Sequence, residues 1–165
     1  MKYAGIGSRS TPQDIKDVMY QYALTKAALG HTLRSGGAQG ADSAFEIGCL
    51  ENNGPYEIFL ARDATPEAIQ LASEIHPFWS SCKPYVQRLH GRNEMIIAGE
   101  SLQDPVDIVV CWTPDGEASG GTGQAIRRAD LLNIPVANLH NHQTLQQIKD
   151  YIQKTNQEIL RDAKT

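Results

Sequence analysis

Three glycine-rich segments carry residue types that suit the binding of an anion. Glycine lets the backbone approach a ligand closely and adopt positive φ, so successive N–H groups can converge on one negatively charged group. Serine and threonine hydroxyls add donors, and the dipole of a following helix adds a favourable field. One such loop alone is as often a plain strand-to-helix turn, but several loops together predict a cradle for phosphate oxygens. The predicted ligand contacts in these segments are Gly7, Ser8 and Arg9; Ser35, Gly36, Gly37 and Gln39; and Ser119, Gly120, Gly121, Thr122 and Gly123.

Three further side chains are candidates for the same site. Arg92 has the planar guanidinium that pairs with phosphate through two parallel hydrogen bonds, although a surface arginine without a ligand gives the same signal. Asn93 follows it directly. Asp42 either contacts a ligand hydroxyl or simply interacts favourably with the dipole of the helix in whose first turn it stands. We include Asp42, Arg92 and Asn93 among the predicted ligand contacts.

Other chemically capable groups give weaker signals. Phe78, Trp79 and Tyr85 either stack on a nucleobase or, as is more common for aromatic residues, belong to the core. His140-Asn141-His142 has no cysteine or carboxylate cluster beside it and is interpreted as a polar turn. The three cysteines are an odd number without a CxxC pair, which predicts neither disulfides nor a zinc site and favours a reducing compartment. We therefore predict no metal and no cofactor.

Composition and charge limit the partners of this chain. A net charge of −4 argues against a protein that coats duplex DNA, so any contact with nucleic acid must be local. The chain has no apolar N-terminal segment and no membrane-length apolar run, which predicts a cytoplasmic protein without a membrane partner. The GxSxG, GxxxxGK[ST] and HExxH motifs do not occur, which disfavours α/β-hydrolases, P-loop NTPases and zincins.

Short apolar runs alternate with helix-length segments along the whole chain, the pattern of a parallel sheet covered by helices. We predict a single α/β domain over residues 1–165, with a Rossmann-like, doubly wound, mostly parallel sheet of about five strands and helices on both faces. Ligands of such sheets bind beyond the carboxyl ends of the strands, which is where the glycine-rich segments fall. The predicted strands are Lys2 to Ile6, His31 to Ser35, Tyr56 to Leu60, Val106 to Trp112 and Ile134 to Leu139.

Helix signals stand between the predicted strands. Thr11 is a predicted N-cap before Pro12, and the long segment 65–99 is expected to hold two helices, starting at Thr65-Pro66-Glu67 and after Lys83-Pro84. An amphipathic helix is predicted at about 144–163, where it lies either on the sheet or on a partner. The second alternative would give a homo-oligomer.

Four segments in order resemble the SLOG superfamily of Rossmann-like proteins, and within it the Rossmann domain of the DNA-processing protein A (DprA) family. They are GIGSRS at 5–10, LRSGGAQGADSAFEIG at 33–48, LHGRNEMIIAG at 89–99 and ASGGTGQAIRRADLLNIPV at 118–136. That family binds single-stranded DNA over these loops. The resemblance implies contacts to DNA from Ser8, Arg9, Gly36, Gly37, Arg92, Asn93, Ser119 and Gly120, although the net negative charge departs from what DNA binding favours.

The chain is also similar to the LOG group, which cleaves the N-glycosidic bond of cytokinin nucleotides with an arginine and a glutamate in a PGGxGTxxE motif. Arg92 matches that arginine, but Arg127 stands where the glutamate should be and would oppose the positive charge of an oxocarbenium-like state. The first hypothesis is therefore binding of a nucleotide-type molecule or short single-stranded DNA without turnover. The alternative is a nucleoside-monophosphate phosphoribohydrolase that uses Arg92 and a carboxylate from the 113–121 loop, Glu117 or Asp115. A third hypothesis is an interaction protein with a vestigial site.

Overall fold

One parallel sheet of five strands organises the computed structural model, which describes residues 1–165. All four strand pairs are parallel, and the order β3-β2-β1-β4-β5 is that of a doubly wound α/β protein. The predicted Rossmann-like fold class is thus confirmed. The strands are β1 (Lys2–Gly5), β2 (Thr32–Ser35), β3 (Tyr56–Ile58), β4 (Ile108–Cys111) and β5 (Val136–Asn138).

Helices cover both faces of the sheet. The helices α1, α2 and α6 lie over one face, while α4 and α5 lie over the other, with α3 packed against α4. Short 3-10 turns at Ala61–Asp63 and Trp79–Ser81 flank α3. The helix bounds are α1 (Gln13–Ala28), α2 (Ala41–Glu51), α3 (Pro66–Ser73), α4 (Pro84–Ala98), α5 (Thr122–Leu131) and α6 (His142–Asp162).

The strands are buried on both faces, which explains their apolar sequences. Neighbouring side chains of a strand point to opposite faces, so Tyr3 and Val110 enter the core under α1 and α2, whereas Ala4 and Val109 enter the core under α4 and α5. Each of these four residues is fully buried. The two cores together fix the sheet between its helical layers.

Several predicted boundaries were wrong by one or two residues. The strands are shorter than predicted at their ends; Val106, for example, donates its N–H to Ile97 O and precedes β4. Thr11 does not cap α1, because its hydroxyl donates to Ser8 O (2.6 Å). The C-terminal helix begins earlier than predicted, because the Asn141 side chain caps it by accepting from Thr144 N (3.0 Å). The helix predicted to start at Thr65-Pro66-Glu67 is α3, and the Thr65 side chain caps it by accepting from Ala68 N (3.1 Å).

The C-terminal helix α6 packs on the chain's own core. Its apolar stripe, formed by Leu145, Ile148, Tyr151 and Ile152, contacts the cluster under α1. The sheet-covering role considered from the sequence is therefore the observed one, and association into dimers stays a prediction. None of the helices is both long and apolar enough to cross a bilayer.

Candidate functional site

A cleft of about 860 Å³ opens beyond the carboxyl ends of β1 and β4. These two strands are neighbours, but the chain leaves β1 toward α1 on one face and leaves β4 toward α5 on the other. The loops diverge at this switch point and leave a crevice between them, as in other open α/β sheets. Residues of α4 and of the turn after α3 form the remaining wall.

Most of the predicted ligand contacts meet in this cleft. Those that line it are Gly7, Ser8, Arg9, Asp42, Arg92, Asn93, Ser119, Gly120, Gly121 and Thr122. The structure does not place the others on its surface, and these are Ser35, Gly36, Gly37, Gln39 and Gly123. Ser35 is fully buried and donates its hydroxyl to Gly5 O (2.6 Å), which ties β2 to β1.

The second glycine-rich loop binds the chain's own carboxylate. Asp42 Oδ2 accepts hydrogen bonds from the backbone N–H groups of Gly36 (3.2 Å) and Ala38 (3.3 Å). A Cβ at Gly36 would overlap Arg92 Nη1 and Asp42 Oδ2, so a side chain there would displace the guanidinium or the carboxylate from its position. The Gly36 N–H is therefore already used within the protein, and neither Gly36 nor Gly37 lines the cleft, so their contact with a ligand stays a prediction.

Asp42 and Arg92 carry opposite charges and both border Gly36 at the cleft, but no direct ion pair joins them. Burial raises the pKa of Asp42 to about 6, although the positive charge of Arg92 and the N–H groups of Ala38 and Gly36 act in the opposite direction. Arg92 Nη1 donates to Gly36 O (2.5 Å) and Phe59 O (3.3 Å), while its Nη2 has no acceptor within the protein. One edge of the guanidinium is thus held in place and the other can bind a ligand.

The third glycine-rich loop presents free donors at the amino end of α5. The backbone N–H groups of Gly120, Gly121 and Thr122 make no hydrogen bond to any protein group. Asn93 donates its side-chain N–H to Gly121 O (2.8 Å), so α4 fixes the position of this loop. Unpaired N–H groups at the start of a helix are a general binding site for anions.

The charge of the cleft is opposite in sign to that of the whole chain. Arg9, Arg92 and Arg127 line it, against the single carboxylate of Asp42. Arg127 donates to Ala118 O (3.3 Å) and Gln124 Oε1 (3.1 Å), and its buried Nε has no partner. The site therefore attracts anions locally in a chain whose net charge is −4.

The carboxylates considered for the enzyme alternative lie outside the cleft. Neither Glu117 nor Asp115 lines it, and both side chains are exposed. Asp115 accepts hydrogen bonds from Ser119 Oγ (2.7 Å) and Glu117 N (3.0 Å), so it stabilises the loop. The only carboxylate on the cleft surface is Asp42.

Three residues that sequence reasoning missed meet at the other end of the cleft. Their possible metal-ligand atoms, one each from His76, Cys82 and His90, all lie within 4.8 Å of one another. Burial, with the nearby charges of His76, Arg127 and Arg92, lowers the pKa of His90 to about 4. Burial also lowers the pKa of His76. The spacing of the three residues matches no common metal motif, so the sequence offered no signal.

The aromatic residues of the long crossover are not core residues. Phe78 is 71% exposed and lines the cleft, and Tyr85 is 55% exposed but lies outside it. The core interpretation was wrong for both, because Phe78 lies on the surface turn between α3 and α4 and Tyr85 lies on an exposed side of the first turn of α4. Trp79 is partly buried, with its ring 6.0 Å from that of His76.

Comparisons with known proteins support the fold. No protein-family model and no curated protein sequence matches this chain. A solved structure that is similar is DNA processing protein A (DprA) from Streptococcus pneumoniae, with a TM-score of 0.56 and 19% sequence identity. The match covers 83% of this chain and 49% of that chain, so this chain spans about half the length of the solved one. The likeness shows a DprA-like Rossmann fold.

Proposed function

We propose that this chain binds a phosphate-bearing ligand in the cleft without changing it chemically, the ligand being a nucleotide-derived molecule or a short single strand of DNA. The observation that carries the proposal is the set of free N–H groups of Gly120, Gly121 and Thr122 at the start of α5. A phosphate oxygen at this point would accept hydrogen bonds from the backbone and interact favourably with the helix dipole. Arg9 and Arg92 line the same cleft and add positive charge.

The size and walls of the cleft favour a ligand larger than inorganic phosphate. Its volume of about 860 Å³ is within the range of small-molecule sites, which is about 300–1,000 Å³. The exposed ring of Phe78 at its edge suits stacking with a nucleobase, which is tolerant of base identity. The similar solved structure is of a DNA processing protein, which also supports a ligand of nucleic-acid type.

The substitution Gly121→Pro is expected to weaken binding of a nucleoside monophosphate about tenfold or more. Proline removes one free N–H, and a charge-assisted hydrogen bond contributes about 1.5–3 kcal/mol. The φ of Gly121 is −63°, which proline adopts without strain, and a Cβ there meets no atom within 4 Å. Isothermal titration calorimetry measures the affinity.

The matched control is Gly121→Ala, which adds the same first carbon but keeps the N–H group. We expect this variant to bind within about twofold of the wild type, because the N–H is kept and the added Cβ meets no protein atom within 4 Å that would disturb the loop. Melting temperatures of both variants check that α5 is intact. Equal affinities of the proline and alanine variants would mean that the ligand does not bind at the amino end of α5.

Salt dependence distinguishes the two ligand classes. A short single strand contacts several phosphate-binding groups, so its affinity falls steeply with salt, with a slope of about −0.7 per neutralised phosphate. For a nucleotide that is held in the cleft through one phosphate, the logarithm of the affinity should fall with the logarithm of the salt concentration with the slope of one neutralised phosphate. Titrations of a mononucleotide and a short oligothymidylate at two salt concentrations give both slopes.

The phosphoribohydrolase remains the second candidate, but its carboxylate would be Asp42 in place of Glu117 or Asp115. Asp42 faces the cleft beside Arg92, and its pKa of about 6 suits proton transfer near neutral pH. Release of free base from nucleoside monophosphates that Asp42→Asn abolishes would support this enzyme, with Glu117→Gln as the control outside the cleft. If the nucleotide stays intact after prolonged incubation, the enzyme alternative is contradicted and ligand binding without turnover is the function that stands.

A further inference from the structure

We propose that His76, Cys82 and His90 form a binding site for one Zn²⁺ ion, with an open coordination position that faces the cleft. Two imidazoles and one thiolate are a ligand set that zinc prefers, and three protein ligands plus one exchangeable ligand are typical of zinc sites that act on a substrate. All three residues line the cleft surface, so the fourth position is accessible from it.

The geometry needs only a small contraction to hold the ion. The candidate ligand atoms lie within 4.8 Å of one another, and Cys82 Sγ is 3.9 Å from both ring nitrogens of His76. Around a tetrahedral zinc ion, with ligand bonds of about 2.0–2.3 Å, these separations would be about 3.3–3.6 Å. His90 is on α4, whereas His76 and Cys82 lie on the irregular turn between α3 and α4 and can adjust toward it.

An unsatisfied polar atom marks the same place. Only 6% of the surface of His90 is exposed, and its Nδ1 has no hydrogen-bond partner. Buried polar side-chain atoms without a partner are rare in folded proteins, and a coordinated metal ion fixes and satisfies such a ring. Its neighbours in the cluster are His76, with ring centroids 4.3 Å apart, and Cys82, which completes the donor set.

The charged groups around the cluster are positive, so a divalent ion there needs a negatively charged ligand such as a thiolate. Arg127 is the cation that acts on both imidazoles, and no carboxylate lines this end of the cleft. The thiolate of Cys82 would supply the negative charge that a divalent ion needs there. The zinc ion would then offer its open position to water or, resting on the proposed function, to an oxygen of the bound phosphate.

Cobalt substitution tests the site directly. Metal-free, reduced protein titrated with Co²⁺ is expected to bind one ion per chain, with a thiolate-to-cobalt charge-transfer band in the near ultraviolet and intense tetrahedral bands in the visible range. Addition of Zn²⁺ should displace the cobalt. Cys82→Ser should remove the charge-transfer band and weaken Zn²⁺ binding more than about a hundredfold, since even groups behind the ligands cost about 10- to 100-fold.

Two controls keep the outcome interpretable. The double variant His140→Ala/His142→Ala removes the exposed histidines outside the cluster and should retain the band and the affinity. Gly121→Pro should also retain both, so failure of the zinc site and failure of phosphate binding are separate results. Wild-type protein without the band, an unchanged affinity in Cys82→Ser, or loss of binding in the His140/His142 variant would each overturn the proposal. Because Cys82 is partly exposed on a surface turn, its replacement leaves both cores intact.

Discussion

The substitution Arg128→Met is expected to lower the free energy of unfolding by about 3–5 kcal/mol, the usual cost of leaving one charge of a buried pair without its partner. Glu94 is fully buried and its carboxylate pairs with Arg128 Nε at 2.5 Å. Gln124 donates to the same carboxylate (2.8 Å), and Arg128 Nη2 donates to Leu71 O (3.1 Å). The cluster joins α3, α4 and α5, the three helices that hold the walls of the cleft.

Burial raises the pKa of Glu94, while its bonds to Gln124 and Arg128 lower it. Without Arg128 the opposing attraction is gone, so the carboxyl takes up a proton at higher pH than in the wild type. The folded variant then binds more protons than the unfolded chain, and its stability falls as pH rises through that range. The loss measured by urea unfolding should therefore be larger at pH 8 than at pH 5.

The double variant Glu94→Met/Arg128→Met and the single variant Arg88→Met serve as controls. Replacing both charges by apolar side chains of similar volume should recover much of the loss. Arg88 is an exposed arginine of α4, and its replacement should change stability by no more than about 0.5 kcal/mol. A double variant as unstable as Arg128→Met alone would contradict the view that the unpaired carboxylate causes the loss.

The free energy of unfolding of Asp42→Asn, relative to that of the wild type, should rise by about 3 kcal/mol between pH 4 and pH 7. The pKa of Asp42 is raised from 3.8 to about 6 in the folded state, and each pKa unit corresponds to about 1.4 kcal/mol. A raised carboxyl pKa means that the folded protein binds more protons between these values, so the contribution of Asp42 to stability falls as pH rises from about 4 to 6. Asparagine does not titrate, and its oxygen can still accept from Gly36 and Ala38.

The quantity to measure is the stability of Asp42→Asn minus that of the wild type at several pH values. This difference should rise between pH 4 and pH 7 and then stay level, because Arg92 and Glu46 are present in both proteins. Asp14→Asn removes an exposed carboxylate from the first turn of α1 and controls for the charge change alone. A difference that is flat from pH 4 to pH 7 would show that Arg92 keeps Asp42 ionised throughout.

The Arg128–Glu94 ion pair and the hydrogen bonds of Asp42 together explain how the cleft combines free donors with fixed walls. The Arg128–Glu94 pair fixes α5 against α4, and Asn93 on α4 then holds Gly121 at the start of α5. Asp42 fixes the loop from Gly36 to Ala38 and stands beside Arg92. These contacts hold the proposed phosphate-binding groups in place before a ligand arrives, which would reduce the entropy lost on binding.

The sequence by itself determined the layered α/β fold and the edge of the sheet where the cleft lies. Alternating apolar strands and capped helices are local signals, and in a parallel sheet the loops after β1 and β4 must lie at the same edge. Predictions for Gly7 to Arg9 and for Ser119 to Thr122 followed from that rule, and these residues do line the cleft.

Only the tertiary structure decided which groups are free and which are already used. The glycine-rich loops at Gly36 and at Gly120 look alike in sequence, but the first gives its N–H groups to Asp42 and the second keeps them. The convergence of His76, Cys82 and His90 depends on the packing of α3 on α4 and on the course of the turn between them. The bonds of Asp42 to Gly36 and Ala38 are local in sequence but depend on the conformation of that loop. The cluster of two histidines and one cysteine depends on how two helices pack, and residue types and spacing encode neither of these separately from the fold.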